Sequence, residues 1–245
     1  MSYQIHTHFG HHQTLSKTAV VASFAALLSA CSSTSSTSNQ FIPDTKWHSS
    51  QLENGLGYHL YEKKGEPIEL RFIVRAGALN ESENQYGYAH FLEHMAFNGT
   101  QHYQGNDIVA EFEKAGMSFG ADLNAFTSHE VTSYTLSLPD QTSLAMALEW
   151  LRDVGDGISF DSAEVEKEKG VVLGEIRSYE RNERSVFDQA FDVALGDSVY
   201  ATYDVLGTKE SISNIDIDQL KRFIKLGMCL TMLSLWLWVI LIKKP

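Results

Sequence analysis

Two histidines and a glutamate in the stretch His90-Phe91-Leu92-Glu93-His94 have the spacing of a metal site. The stretch lies within residues 88–97, which contain no Gly or Pro and are predicted to form a helix. On a helix, His90 and His94 at positions i and i+4 share one face, so both imidazoles can bind a single zinc ion. Glu93 lies beside that face, where its carboxylate can act as a general base without being a ligand.

A catalytic zinc ion bound by two histidines needs a third protein ligand and one position left open for water. The helix predicted over residues 162–181 offers two candidates, Glu168 and Glu175, which are two turns apart. Both lie in or beside an apolar stripe formed by Val165, Val172 and Ile176. A carboxylate on such a face needs a partner, which a metal or a metal-bound histidine would provide. The alternative is that both glutamates extend into solvent from a charge-rich helix.

The elements that position these residues are predicted from periodicity and turn signals. Asn54-Gly55 is a hairpin turn signal, and strands are predicted over residues 58–61, 68–74 and 128–138. Helices are predicted over residues 107–115, where Asn106 is the N-cap, and from residue 140 to about 154. This order predicts an α+β fold with a mostly antiparallel sheet and helices packed on one face, forming a single domain over residues 47–224.

Composition narrows the possible functions. The chain has 245 residues, and 43% of them are hydrophobic, which is enough for a sizeable core. Its 19 Lys and Arg against 31 Asp and Glu give a formal net charge of -12, which argues against a nucleic acid as the partner. The two cysteines, Cys31 and Cys229, predict neither a disulfide framework nor a cysteine metal cluster.

The N-terminal segment has the layout of a secretory signal. An apolar run over residues 18–27 follows Lys17 and ends in Leu28-Ser29-Ala30-Cys31, which resembles a bacterial lipobox. Residues 1–31 are therefore predicted to be a signal peptide, with Cys31 as the lipidated first residue of the mature protein. Residues 32–46, rich in Ser and Thr, would form a flexible tether on the periplasmic side of the outer membrane. The alternative is an ordinary cleaved signal with an incidental cysteine.

The C-terminal segment, residues 225–245, is unusually apolar. Residues 226–242 contain no charge and precede Lys243 and Lys244, so a transmembrane helix is one interpretation. The segment is shorter than the roughly 20 residues that span the hydrocarbon core of a bilayer. When this segment is back-translated and its codons are read one base earlier, the neighbouring reading frame encodes a glycine where the codons of Trp238 and Val239 meet. The apolar run is therefore specific to the present reading frame. We therefore favour a frameshift near Lys225, which would make this tail a non-native peptide, and sequencing the gene across it tests the hypothesis.

Three motifs in order resemble the insulinase/pitrilysin family of zinc metallopeptidases. They are the run HFLEHMAFNGT over residues 90–100, the segment 120–138 with Asn124-Ala125 and Thr132-x-Tyr134, and the run VVLGEI over residues 171–176. The resemblance covers residues 47–224, and it implies that His90, His94 and Glu175 bind zinc, with Glu93 as the base. It also implies that Glu168 supports a ligand, and that Asn124 and Ala125 lie on an edge strand to which a peptide substrate adds.

The function implied by this resemblance is zinc-dependent hydrolysis of peptide bonds by an exported metalloendopeptidase. Members of the family enclose the substrate between two homologous halves, and this chain has room for one domain, so a second half would be needed to close the chamber. Two alternatives remain. The chain could be an inactive metal-binding fragment, or it could be a membrane-tethered lipoprotein that binds peptides and whose His90 and His94 are structural.

Overall fold

The central sheet has a strand order that differs from the order along the chain. The computed structural model describes residues 44–62, 67–181, 186–227 and 233–239. Within them the strands are β1 (Trp47–Gln51), β2 (Gly57–Glu62), β3 (Ile68–Val74), β4 (Leu123–Thr127), β5 (Thr132–Leu138) and β6 (Leu233–Val239). Their order is β1-β2-β6-β3-β5-β4. The β2–β6 pair is parallel, and every other pair in this sheet is antiparallel.

Helices fill most of the remaining described chain. They are α1 (Tyr88–Met95), α2 (Asp107–Lys114), α3 (Leu144–Asp156), α4 (Ser162–Arg181), α5 (Val186–Leu195), α6 (Val199–Thr202), α7 (Lys209–Ser213) and α8 (Ile217–Gly227). A single 3-10 turn, Ala78–Asn80, precedes α1. The combination of a mostly antiparallel sheet with these helices confirms the α+β fold predicted from the sequence.

The hairpin between β1 and β2 forms where the turn signal predicts it. Gly55 has a φ of 94°, a left-handed conformation that glycine adopts without steric cost. The side-chain oxygen of Asn54 accepts a hydrogen bond from the backbone N–H of Leu56 at 3.1 Å. The strand that follows the turn spans one residue more at each end than the sequence predicts.

One face of the sheet forms the main core. Along β3 every second side chain is buried, as the alternation in the sequence predicts, and the buried residues of β5 pack beside them. Helices α2 and α3 cover these strands. The core residues that belong to these four elements are Ile68, Leu70, Phe72, Val74, Tyr134, Leu136, Leu138, Ile108, Phe112, Ala147, Trp150, Leu151 and Val154. Burying each large apolar side chain contributes about 1.5–3 kcal/mol.

A second apolar cluster holds α1 against α4, α7 and α8. Its members on α1 are Tyr88, Ala89, Phe91, Leu92 and Met95, and those on the other three helices are Val165, Val172, Ile176, Ile212, Leu220 and Phe223. Because these contacts come from every turn of α1, the helix has little freedom to rotate or slide. The cluster therefore fixes the direction in which the polar side chains of α1 point.

The sheet extends past the domain boundary expected at residue 224. Strand β6 lies between β2 and β3 and pairs with both, which satisfies its backbone N–H and C=O groups on either side. Residues 233–239 are thus a central strand, whereas the membrane-helix alternative for residues 226–242 requires a helix there. Trp236, Trp238 and Val239 of this segment are residue types that favour strands. The proposed frameshift near Lys225 stays a prediction.

The predicted signal peptide, the lipidation site Cys31 and the tether up to residue 43 lie outside the described residues. From Thr45 onward the chain forms a compact unit. Among the described residues, no helix combines the length and the apolar character needed to cross a membrane.

Trp150 joins the main core to the end of α1, so its replacement should destabilise the fold. Its ring contacts Phe97, Phe112 and Tyr134, and its indole N–H donates to the backbone carbonyl of Ala96 at 3.0 Å. We expect Trp150→Phe to lower the free energy of unfolding by about 2 kcal/mol, because a cavity forms and a buried carbonyl loses its donor.

Urea denaturation followed by circular dichroism measures this change. The control is Tyr179→Phe, which alters an aromatic side chain that is 52% exposed on α4. The control should unfold at the midpoint of the parent protein, and equal stability of Trp150→Phe and the parent would contradict the prediction.

Candidate metal centre

Helix α1 presents both histidines of the motif toward one point. The Nε2 atoms of His90 and His94 are 3.2 Å apart, as expected for imidazoles one turn apart on one face. His90 is buried, with 9% of its surface exposed. Their positions follow from the packing of α1, since Phe91 and Leu92, which lie between them in the sequence, belong to the second apolar cluster.

Helix α4 brings Glu175 to the same point. Its Oε2 atom lies 3.6 Å from His90 Nε2 and 3.8 Å from His94 Nε2. The side chain of Glu175 is 42% exposed, so this carboxylate lies on the open side of the site. Two nitrogens and one oxygen from helices far apart in the sequence thus converge on one small volume.

These three side chains fit a zinc ion. One donor atom from each lies within 4.8 Å of the others. In a tetrahedral site with bonds of about 2.0–2.1 Å, neighbouring donor atoms are about 3.4 Å apart, close to the separations found here. Two imidazoles and a carboxylate also form the donor set of known catalytic zinc sites, which keep a fourth position for water. His90, His94 and Glu175 could therefore hold a zinc ion.

Glu168 holds the imidazole of His94 in place. The Nδ1–H of His94 donates to Oε1 of Glu168 at 2.7 Å, which leaves the lone pair of Nε2 facing Glu175. The amide of Asn98 donates to the other oxygen, Oε2, at 2.6 Å. Glu168 is only 5% exposed, so the alternative in which it extends into solvent does not describe this residue. A carboxylate behind a histidine ligand fixes the tautomer and orientation of the ring.

His90 has no comparable support. Its Nδ1 atom is buried, and no hydrogen-bond partner for it exists among the described residues. Burial lowers the pKa of His90 to about 4, with the neighbouring His94 acting in the same direction. Burial would also lower the pKa of His94, but the hydrogen bond to Glu168 and the nearby carboxylates raise it instead. The two histidines therefore differ in what surrounds them, although they share one helix face.

Glu93 lies beside the three donors and is not one of them. Its Oε2 atom accepts a hydrogen bond from the hydroxyl of Thr127 at 2.6 Å. Burial raises the pKa of Glu93, and the Thr127 hydrogen bond opposes the rise. No hydrogen bond to Oε1 is found among the described residues, and a carboxylate with a raised pKa is suited to accept and return a proton there.

A cavity of about 480 Å³ opens in front of these groups. Its lining includes Glu93, His94 and Glu175 on one side, and it reaches Asn124 and Ala125 on β4. Strand β4 forms one edge of the sheet in the described part of the chain, so it has a strand partner on one side only. The backbone N–H of Ala125 donates to the side-chain oxygen of Asn124 at 2.9 Å.

Several residues of the site were not predicted from the sequence. Asn98 and Thr127 contact Glu168 and Glu93, which are 70 and 34 residues away along the chain. No local pattern could reveal such partners. Two histidines outside the motif make hydrogen bonds elsewhere: His102 to Asp153 and His129 to the backbone of Tyr200.

Known proteins resemble this chain in sequence and in fold. Residues 60–200 match the family described as insulinase (peptidase family M16). The "Probable zinc protease PqqL" of Escherichia coli is 31% identical over 188 residues, which are 74% of this chain and 20% of that protein. The protein of the same name from Haemophilus influenzae is 34% identical over 202 residues, covering 80% and 22% respectively.

Solved structures agree with these sequence matches. The periplasmic protease PqqL from Escherichia coli superimposes with a TM-score of 0.75 at 27% identity, over 82% of this chain and 23% of that one. A structure of the first half of the same protease gives 0.74 at 26% identity, covering 82% and 44%. Pitrilysin shares the fold, with a TM-score of 0.69 at 22% identity. The chain thus spans about a fifth of the length of the zinc-protease relatives that it matches.

The contact between His94 and Glu168 gives a testable prediction for metal binding. Glu168→Gln should weaken Zn²⁺ binding by about 10–100-fold, because the amide can satisfy only one of the two donors that face it. Competition with a chromophoric chelator at pH 7.5 measures the affinity. The matched control is Glu166→Gln, which removes the same charge from an exposed position on α4. An affinity for Glu168→Gln equal to that of the control would contradict the supporting role of Glu168.

Proposed function

Because this chain belongs to the insulinase family of peptidases (peptidase family M16), we propose that it is the zinc-binding domain of an exported metalloendopeptidase. The observation that carries the proposal is the convergence of His90, His94 and Glu175 on one point beside Glu93. The donor set is that of a catalytic zinc site, and the cavity in front of it is open to a substrate.

In this proposal His90, His94 and Glu175 bind zinc, and Glu168 orients His94. Zinc, when bound, polarises a substrate carbonyl and lowers the pKa of a bound water to about 7. Glu93 accepts the proton of the attacking water at Oε1, since Oε2 already accepts the hydroxyl of Thr127. The same carboxyl then returns the proton to the amine of the leaving peptide.

Strand β4 provides a place for the peptide substrate. An extended peptide can add to a sheet edge through main-chain hydrogen bonds, and Asn124 and Ala125 lie at such an edge beside the cavity. A peptide aligned with β4 would pass in front of Glu93, which is bonded to Thr127 of the same strand. We propose that Asn124 and Ala125 bind the substrate backbone.

The partner and the location of the protein are proposed from its similarity to PqqL. A second homologous half is proposed to close the active-site chamber, because the chain superimposes on a structure of the first half of PqqL, a protease that therefore has a second half. The protein is proposed to act in the periplasm, where the similar PqqL protease is found. Anchoring through a lipid on Cys31 remains a prediction from the lipobox.

Zinc content and peptide cleavage together distinguish this proposal from its two rivals. The purified chain is analysed for metal by inductively coupled plasma mass spectrometry and assayed with a library of quenched fluorescent peptides. Zinc with cleavage supports the metalloendopeptidase. Zinc without cleavage supports an inactive metal-binding fragment. Absence of both supports a peptide-binding lipoprotein with structural histidines.

The role of Glu93 is tested by Glu93→Gln. This variant should keep its zinc and lose turnover by about 10²–10⁴-fold, because an amide cannot accept the proton of the attacking water. His94→Ala should lose zinc as well as activity. The control, Glu113→Gln, changes an exposed glutamate on α2 and should behave as the parent. Normal cleavage by the Glu93→Gln protein would contradict the assignment.

A further inference from the structure

A buried carboxyl group outside the metal centre has no part in the chemistry described so far. Glu81 follows the 3-10 turn and is 4% exposed, although carboxyl groups are rarely buried without partners. Burial raises the pKa of Glu81 to about 8, and hydrogen bonds from the backbone of Ala89 and Gly87 oppose this rise. A side chain held away from water at such a cost calls for a function in the folded protein.

Glu81 caps the first turn of α1. Its Oε2 accepts the backbone N–H of Gly87 at 2.8 Å, and its Oε1 accepts that of Ala89 at 2.7 Å. The first N–H groups of a helix have no partner inside the helix and need one from elsewhere. Gly87 is the N-cap residue and has no side chain to provide one. Glu81 therefore provides, from a preceding loop, the side-chain hydrogen-bond acceptor that a Ser or Asp usually provides at the N-cap.

The segment before α7 fixes the same turn from another direction. Gly207 has a φ of 77°, and a Cβ atom there would lie only 2.4 Å from the carbonyl oxygen of Tyr86, so the two backbones are in close contact. The hydroxyl of Ser211 donates to that same oxygen at 2.6 Å. The start of α1 is thus fixed on its N–H side by Glu81 and on its C=O side by Ser211.

This anchoring matters for His90, which comes directly after Ala89. The imidazole of His94 is held by Glu168, but Nδ1 of His90 has no hydrogen-bond partner in the part of the chain that the structure describes. The direction of His90 must therefore come from the main chain of the first turn and from packing. We propose that Glu81 is a positioning residue for His90, and this inference rests on the metal site of the proposed function.

The substitution Glu81→Gln tests the inference. A glutamine has the same shape, but its NH₂ group would face one of the two backbone N–H donors and cannot accept a hydrogen bond from it. The matched control is Glu83→Gln, which makes the same Glu-to-Gln change at an exposed position in the same loop. A second control is Ile68→Val, which lowers stability in the core of β3 and leaves the start of α1 unchanged.

Two measurements are made on each full-length variant. Titration with Co²⁺ at pH 7.5 gives the affinity and the visible absorption bands, which report ligand geometry. Hydrogen exchange by NMR on the metal-free protein gives the protection of the Gly87 and Ala89 amides. We expect Glu81→Gln to bind Co²⁺ about tenfold more weakly with altered bands, and to lose protection at one or both amides. Both controls should match the parent in both measurements.

The outcomes separate this inference from the proposed function. If Glu81→Gln binds Co²⁺ with the parent's affinity and spectrum, the positioning role is wrong. Unchanged amide protection would show that Glu81 does not cap α1. If Ile68→Val loses as much affinity as Glu81→Gln, the effect is one of general stability, and the inference is again overturned. Absence of Co²⁺ binding by the parent would instead refute the metal site, and with it any role of Glu81 toward His90.

Discussion

The close packing of α1 against α4 is the constraint on which the candidate metal centre depends. Two imidazoles on α1 can meet a carboxylate on α4 only if the helices keep one rotation and one spacing. Apolar side chains of both helices provide this, notably Phe91 and Met95 of α1 with Val172 and Ile176 of α4. A catalytic site tolerates errors of about 0.5 Å, so a well-packed core beneath it is a requirement of the chemistry.

Buried carboxyl groups also hold the site and its surroundings in place, through hydrogen bonds. Each of four such groups, Glu81, Glu93, Asp153 and Glu168, accepts hydrogen bonds from groups that would otherwise move. Glu168 orients a ring, and Asp153 joins α3 to the loop at Thr100. A buried acid is expensive unless it is paired, and each of these four is. The polar network therefore complements the apolar packing, which alone cannot set the direction of a side chain.

Features set by neighbouring residues in the sequence were predictable, and features set by contacts between distant parts of the chain were not. Helix periodicity placed His90 and His94 on one face, and the structure has helix α4 at the predicted bounds, Ser162–Arg181. The position of β6 between β2 and β3 could not be predicted, because strand order is set by tertiary packing. The same holds for the hydrogen bond between Thr127 and Glu93, which are distant in the sequence. It also holds for Glu81, whose partners are backbone N–H groups that only folding brings near. Glu175 was one of two candidates until a family resemblance separated it from Glu168.

Anomalous diffraction at the zinc edge from crystals grown with Zn²⁺ tests the central claim most directly. The account predicts one strong peak within bonding distance of Nε2 of His90, Nε2 of His94 and an oxygen of Glu175, with Glu93 near the peak but not bonded to it. A peak ligated without Glu175, or crystals that bind zinc elsewhere and leave the two histidines free, would contradict it.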